Sequence, residues 1–205
     1  IRDDGKFVAE TAGKYLITAT AGQRSTSIPL VVYDRGIQRE VINVGTGIVQ
    51  EKHTSDFWVF EGVDNRDYAV SGTWGADGTT YFWDVTDPGQ IRKIDSIQVD
   101  ARTVNDVKVS EDGKISIISR EGASSRKNGI VIIDTTNPYD VNIISEYTTN
   151  LTGGVHNVFI YEDHVYALSN GERFYVINIE DPSNPYEVGM FEIGEKGQAI
   201  HDVWV

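Results

Sequence analysis

Cysteine is absent from the 205 residues, which removes disulfides, thiolate metal sites and cysteine nucleophiles together. No apolar run approaches the roughly 18 residues that a helical membrane span needs. Basic side chains are scarce: 18 Lys and Arg stand against 31 Asp and Glu, a formal net charge of −13. A phosphate backbone needs a basic stripe to displace its counterions, so this balance argues against nucleic acid. It argues equally against a polybasic contact with anionic lipid. A surface this acidic serves solubility first. Signatures of catalysis are missing too. No serine occupies a G-x-S-x-G elbow, no Ser–His–Asp set can be assembled, and the GTGI stretch from Gly45 lacks the lysine of a phosphate loop. The chain opens at Ile1, not at a methionine. The expectation is that Ile1 is not the native start, so a missing signal peptide says nothing about export.

What is present is repetition. DFWVF from Asp56, DVKVS from Asp106, NVFIY from Asn157 and DVWV from Asp202 recur at spacings of about 45–50 residues. A second marker keeps step: DVTDP ends at Pro88, DTTNP at Pro138 and NIEDP at Pro182. Within a unit the order is an inner strand, a hairpin turn such as Asp77-Gly78 or Asp112-Gly113, a second strand, a continuous apolar third strand such as GIVIID, and a fourth strand after the proline. Four antiparallel strands per period of this size make one β-propeller blade. The predicted blades run over about residues 55–99, 104–148 and 155–194, with the start of a further blade at 200–205. Residues 38–44 read as the outermost strand of another blade. Three and a fraction blades do not close a ring of about four to eight and leave sheet edges unpaired. The expectation is therefore a fragment of a longer protein.

The repeats resemble the LVIVD-type propeller family of exported bacterial and archaeal proteins. The third unit, VHNVFIYEDHVYALSNGERFYVINIEDPSNPYEVGMF, matches best, the second well and the first loosely. Residues 1–34 differ from the rest and precede the propeller segment of residues 35–205. Three short alternating strands are expected at 6–10, 14–21 and 27–33. KYLITATA resembles the G-x-Y-x-I-T-A strand of a bacterial immunoglobulin-like domain, with Tyr15 as the corner tyrosine whose hydroxyl returns to the backbone. The fold class is thus all-β: a partial propeller preceded by the last strands of an immunoglobulin-like sandwich.

Candidate site residues follow from the period. His156-Asn157 and His201-Asp202 fill the slots of Ser55-Asp56 and Asn105-Asp106, which come around the propeller axis near one mouth of its channel. Imidazole and carboxylate there have the chemistry to hold a divalent cation, with His156, His201 and Asp202 as ligands. The alternative is that the Asp or Asn caps a turn and the His packs between blades. No catalytic residue and no organic cofactor is indicated. Asp64, Asn65, Asp67, Asp84 and Asp87 follow no calcium-loop spacing. Trp58 and Trp204 share the inner-strand position of Lys108 and Phe159, and Trp83 ends a third strand, so these three read as core or channel residues. Trp74, in the loop SGTWGADG, is the candidate for a partner surface.

The resemblance implies a non-enzymatic scaffold that is exported to the periplasm, cell surface or exterior. It would present loops to a protein or glycan partner, as a subunit of a larger envelope assembly. The other reading is an enzyme or metal-binding propeller with its site at the channel mouth. A propeller hosts many unrelated functions, so the fold does not choose between them.

Overall fold

A computed structural model describes residues 6–34, 36, 40–50, 52–192, 194 and 199–205. The described residues contain strands and turns and no helix. The chain divides into two compact units, Ile1–Asn43 and Val44–Val205.

The first unit is a hairpin. β1 (Gly13–Ala21) pairs antiparallel with β2 (Arg24–Val32), Ala21 opposite Arg24. Gly22, at a φ of 60°, opens the two-residue turn between them. Thr18 and Thr20 face Ser27 and Ser25 across the ladder, with hydroxyls 2.8 Å apart in both pairs. The expected strand at residues 6–10 does not form. Its residues wrap a corner instead: Phe7 meets the Tyr15 ring edge-on at 5.4 Å, and the Tyr15 hydroxyl donates to the Thr11 carbonyl at 2.6 Å. Two strands cover little of each other, and Leu16 on one face and Ile28 on the other are both exposed.

The second unit contains three four-stranded antiparallel meanders. Blade 1 is β3 (His53–Glu61), β4 (Asp67–Trp74), β5 (Thr79–Asp84) and β6 (Arg92–Gln98). Blade 2 is β7 (Val107–Val109), β8 (Ile115–Arg120), β9 (Gly129–Asp134) and β10 (Asn142–Tyr147). Blade 3 is β11 (Val155–Tyr161), β12 (His164–Ser169), β13 (Arg173–Asn178) and β14 (Tyr186–Glu192). Of the outer strand expected at 38–44, residues 38 and 39 lie outside the described residues, and 40–44 are in no strand. Val41 and Ile42 stand exposed without a ladder partner. Since backbone ladders and not propensity hold a strand, the apolar pattern of this segment is not enough by itself.

The blades stack by one rule. Side chains alternate across each strand, and each blade turns one apolar face to the blade before and the other to the blade after. Tyr68, Val70 and Phe82 of blade 1 pack on Val107, Val109, Ile118, Val131 and Ile133 of blade 2. Ile117, Ile130 and Ile132 of blade 2 pack on Val158, Val165, Ala167, Tyr175 and Ile177 of blade 3. The middle strand of the stack, β9, is buried on both faces, which is why it reads as an unbroken apolar run.

Polar latches hold the outer ends. Asp84, Asp134 and Asn178 close third strands by accepting the amide two residues on, from Thr86, Thr136 and Glu180. Asp84 does more. It receives Arg66 at 2.6 Å, Arg92 at 3.0 Å and the Tyr139 hydroxyl of blade 2 at 2.7 Å. Burial opposes its charge, but the hydrogen bonds from Tyr139 and Thr86 and the Arg66 charge hold its pKa down at about 2. Asp95 of blade 1 likewise accepts the Val141 amide of blade 2 at 2.9 Å.

Ile132 sits at 0% exposure in the interface of blades 2 and 3. Ile132→Ala is expected to lower unfolding free energy by about 2–5 kcal/mol, the usual range for truncating a buried isoleucine. Urea denaturation followed by tryptophan fluorescence measures it. A loss below ~1 kcal/mol would mean that this interface is not packed as described.

Candidate functional site at the channel mouth

Four segments bring equivalent residues around the axis: β3, the stretch leading into β7, β11, and residues 201–205. At the first of these positions stand Ser55, Asn105, His156 and His201, and at the second Asp56, Asp106, Asn157 and Asp202. The fourth carries Trp58, Lys108, Phe159 and Trp204.

The polar positions stitch each inner strand to the next. Ser55 donates its hydroxyl to the Val104 carbonyl. The Asn105 amide donates to the His156 carbonyl at 2.9 Å. Asp106 accepts the Val158 amide at 2.8 Å, and Asn157 donates to Asp202 at 3.3 Å. Asp106 and Asp202 also accept the amide of the residue that follows each of them, at 2.8 Å. Asp202 is thus turned toward its own backbone and Asn157, away from the histidines.

Below this ring aromatic side chains gather, Trp204 at their edge and 77% exposed. Trp58 lies 6.5 Å from Phe159 and 6.2 Å from Trp204, and Phe159 lies 4.8 Å from Trp204. The Lys108 ammonium stands 5.0 Å from the Trp58 ring centroid, within cation–π range. It donates to Asp106 and, at 3.0 Å, to Asp56 of the preceding blade. One ammonium therefore serves two carboxyls, and the two acids are pushed in opposite directions. Burial, then the neighbouring Asp56 carboxyl, pushes Asp106 up to about 7. For Asp56, burial is outweighed by the hydrogen bond with Asp106 and the Lys108 charge, and its pKa falls.

The mouth above is open. A cavity of about 330 Å³ is lined by Glu121, Gly154, His156, Asn170 and His201 among others. His156 and His201 meet edge-to-face with ring centroids 4.9 Å apart. The Nδ1 of His156 lies 3.0 Å from Glu121 Oε1. A carboxylate accepts only, so Nδ1 carries the hydrogen in this contact and Nε2 is left as the basic nitrogen. Two of the three expected ligands, His156 and His201, thus come together, and Asp202 does not join them. Among the described residues no group of three or more His, Asp or Glu stands at metal-holding distances.

Glu121 was not singled out from sequence, yet a signal for it exists. Trp74 ends the second strand of blade 1, Glu121 and Asn170 come directly after the second strands of blades 2 and 3, and each precedes a glycine at positive φ: Gly75 (59°), Gly122 (67°) and Gly171 (69°). The recurring X-Gly step marks the mouth. Trp74, 53% exposed, meets the His53 ring edge-on at 6.5 Å. Its loop is tied to blade 2 through the Gly75 amide to Thr103 Oγ1 at 3.1 Å and the Ala76 amide to the Arg102 carbonyl at 2.8 Å.

Residues 124–149 and 152–192 match the family model of the LVIVD repeat. Blades 2 and 3 therefore carry LVIVD repeats. No curated protein matches the chain. Among solved structures it is similar to the X-ray structure of a hypothetical selenium-binding protein from Sulfolobus tokodaii, with a TM-score of 0.55 and 14% identity. The likeness covers 69% of this chain and 39% of that one. At this identity it speaks for the propeller fold alone.

The axis cluster predicts a pH dependence. Asp106 titrates near 7 when folded and near 3.8 when unfolded. Between those values the folded state binds the extra proton, so the group's contribution to stability falls as pH rises. Asp56, whose pKa is lowered, acts only below 3.8, outside this window. The urea midpoint is expected to drop from pH 4.5 to 7.5 and the slope to flatten in Asp106→Asn. Equal slopes in the two proteins would contradict the burial of this carboxyl.

Proposed function

We propose that the chain is a non-enzymatic propeller scaffold, exported to the periplasm, cell surface or exterior. It presents its mouth-side loops to a protein or glycan partner within a larger envelope assembly. The observation that carries this reading is the use made of the inner-strand polar residues. Ser55, Asn105, Asp106 and Asn157 each bond the next inner strand, and beneath them Trp58, Phe159, Trp204 and Lys108 contact one another. Groups engaged in holding blades together are structural. The side chains that point out of this frame are those at the second-strand ends, and Trp74 offers a rigid aromatic face of the kind that stacks on a sugar ring or seats a protein side chain. The Tyr15 corner bond to Thr11 supports an immunoglobulin-like origin for the first unit. Such modules act as spacers in surface proteins.

A second reading is favoured by one specific contact. Glu121 holds His156 by Nδ1, the arrangement in which an outer carboxylate orients an imidazole toward a metal. His156 and His201 would then be the protein ligands of a divalent transition metal, with Glu121 behind them and the remaining positions open.

Two variants separate these readings. Trp74→Ala is expected to weaken binding to an immobilised glycan panel or a captured envelope protein by about five- to tenfold, the scale of one aromatic contact. Its thermal unfolding should be unchanged. His156→Ala/His201→Ala is expected to leave both binding and unfolding unchanged. If titration calorimetry instead detects zinc binding to the wild-type chain, lost in the double variant with circular dichroism intact, the metal reading replaces the scaffold reading.

A further inference from the structure

The two internal blade junctions differ at the end of the stack away from the mouth. There the third strand of a blade turns into the fourth through the same hydrogen bonds. Asn137 accepts the Tyr139 amide at 3.2 Å in blade 2, and Asp181 accepts the Ser183 amide at 3.0 Å in blade 3. Tyr139 and Ser183 are therefore equivalent positions with unequal side chains.

At the junction of blades 1 and 2 the place is filled. Tyr139 reaches back over blade 1, meets the Tyr68 ring edge-on at 6.2 Å and donates to Asp84, which Arg66 and Arg92 also hold. One aromatic ring and two guanidinium groups thus complete a single carboxylate. At the junction of blades 2 and 3, Ile115 and Asp134 take the cross-strand places of Tyr68 and Asp84. A serine does not reach over them. A groove of about 310 Å³ stays open between these two blades, with Ile115, Ile160 and Ile179 in its walls beside the exposed Glu111 and Glu180. Among the described residues no Lys or Arg pairs with Glu111, Asp134 or Glu180, and Lys114 nearby is held by Asp112 at 2.8 Å.

We infer that this groove takes an aromatic side chain flanked by Lys or Arg, supplied by a basic segment of a partner protein. Two observations choose the occupant. The repeat itself shows what fills the place when the chain provides it: one tyrosine and two arginines. The charge agrees, since carboxylates without cations stand around an apolar slot on a chain of net charge −13. Such a slot draws in a cationic segment and buries the ring beside the charge. The same field repels a second copy of this acidic chain. The groove lies at the far end from the histidine cavity, so the inference does not depend on what the mouth binds.

Fluorescence anisotropy tests it, with the 205-residue chain and a fluorescein-labelled Gly-Arg-Tyr-Arg-Gly peptide as the probe. Saturable binding is expected at low salt, weakening as salt rises. Exchanging the peptide's Tyr for Ala, or both Arg for Glu, should weaken it at least about tenfold, the scale of a buried aromatic or arginine anchor. Ser183→Tyr, which gives blade 3 the ring that blade 2 already has, should weaken it by about the same factor. Glu111→Gln/Glu180→Gln should weaken it as well, and this pair decides alone if Ser183→Tyr loses the wild-type circular dichroism. No binding at millimolar peptide, equal binding of the Glu peptide, binding indifferent to these substitutions in the chain, or spermidine displacing the peptide at equal concentration would each overturn the inference.

Discussion

The Asp106 carboxyl group is the point through which three blades are held. It accepts the amide that follows it, the Val158 amide of the next blade and the Lys108 ammonium, and Lys108 in turn reaches Asp56 of the blade before. A buried carboxyl with so many donors is costly to strand, because removing any one partner leaves unpaired polarity where water does not reach. The apolar faces decide that blades stack. They are non-directional, however, and would tolerate sliding. The directional bonds around Asp106 fix how far each inner strand is advanced relative to its neighbour, and so where every other residue of the blade lies.

The mouth follows from that registration. Once inner strands are set, the X-Gly steps that follow the second strands of blades 2 and 3 bring Glu121 and Asn170 to one opening with the histidines. The glycine is what the geometry demands, since positive φ is strained for other residues. The residue before it differs in backbone as well as in chemistry: Asn170 itself takes a φ of 55°, which Trp74 and Glu121 do not. The histidines arrive from the inner strands and complete the rim at blade 3.

Much of the fold was legible because its causes are local and repeated. The period, the Asp-Gly turns, the Asx turns before each proline and the buried third strand are all written in short windows of sequence. Tyr15 was legible for the same reason. The misses have a shared cause as well. Residues 6–10 and 40–44 alternate like strands, but alternation reports only which faces are apolar and not whether a partner edge is present. At the site, the pairing of His156 with His201 could be read from the period. The diversion of Asp202 toward Asn157 and the arrival of Glu121 could not, because both depend on side-chain directions across different strands. The opposed shifts of Asp56 and Asp106 were invisible for the further reason that burial is a property of the assembled stack.

The two apolar interfaces are chemically alike and each joins neighbours roughly one period, about 50 residues, apart in the chain. Every step of assembly therefore closes a loop of similar length and carries a similar entropic cost. No single interface has to wait for the far end of the molecule. Such a chain can nucleate on any adjacent pair of blades and lengthen from there, as solenoids do. Blade 2, supported from both sides, should form early and open late.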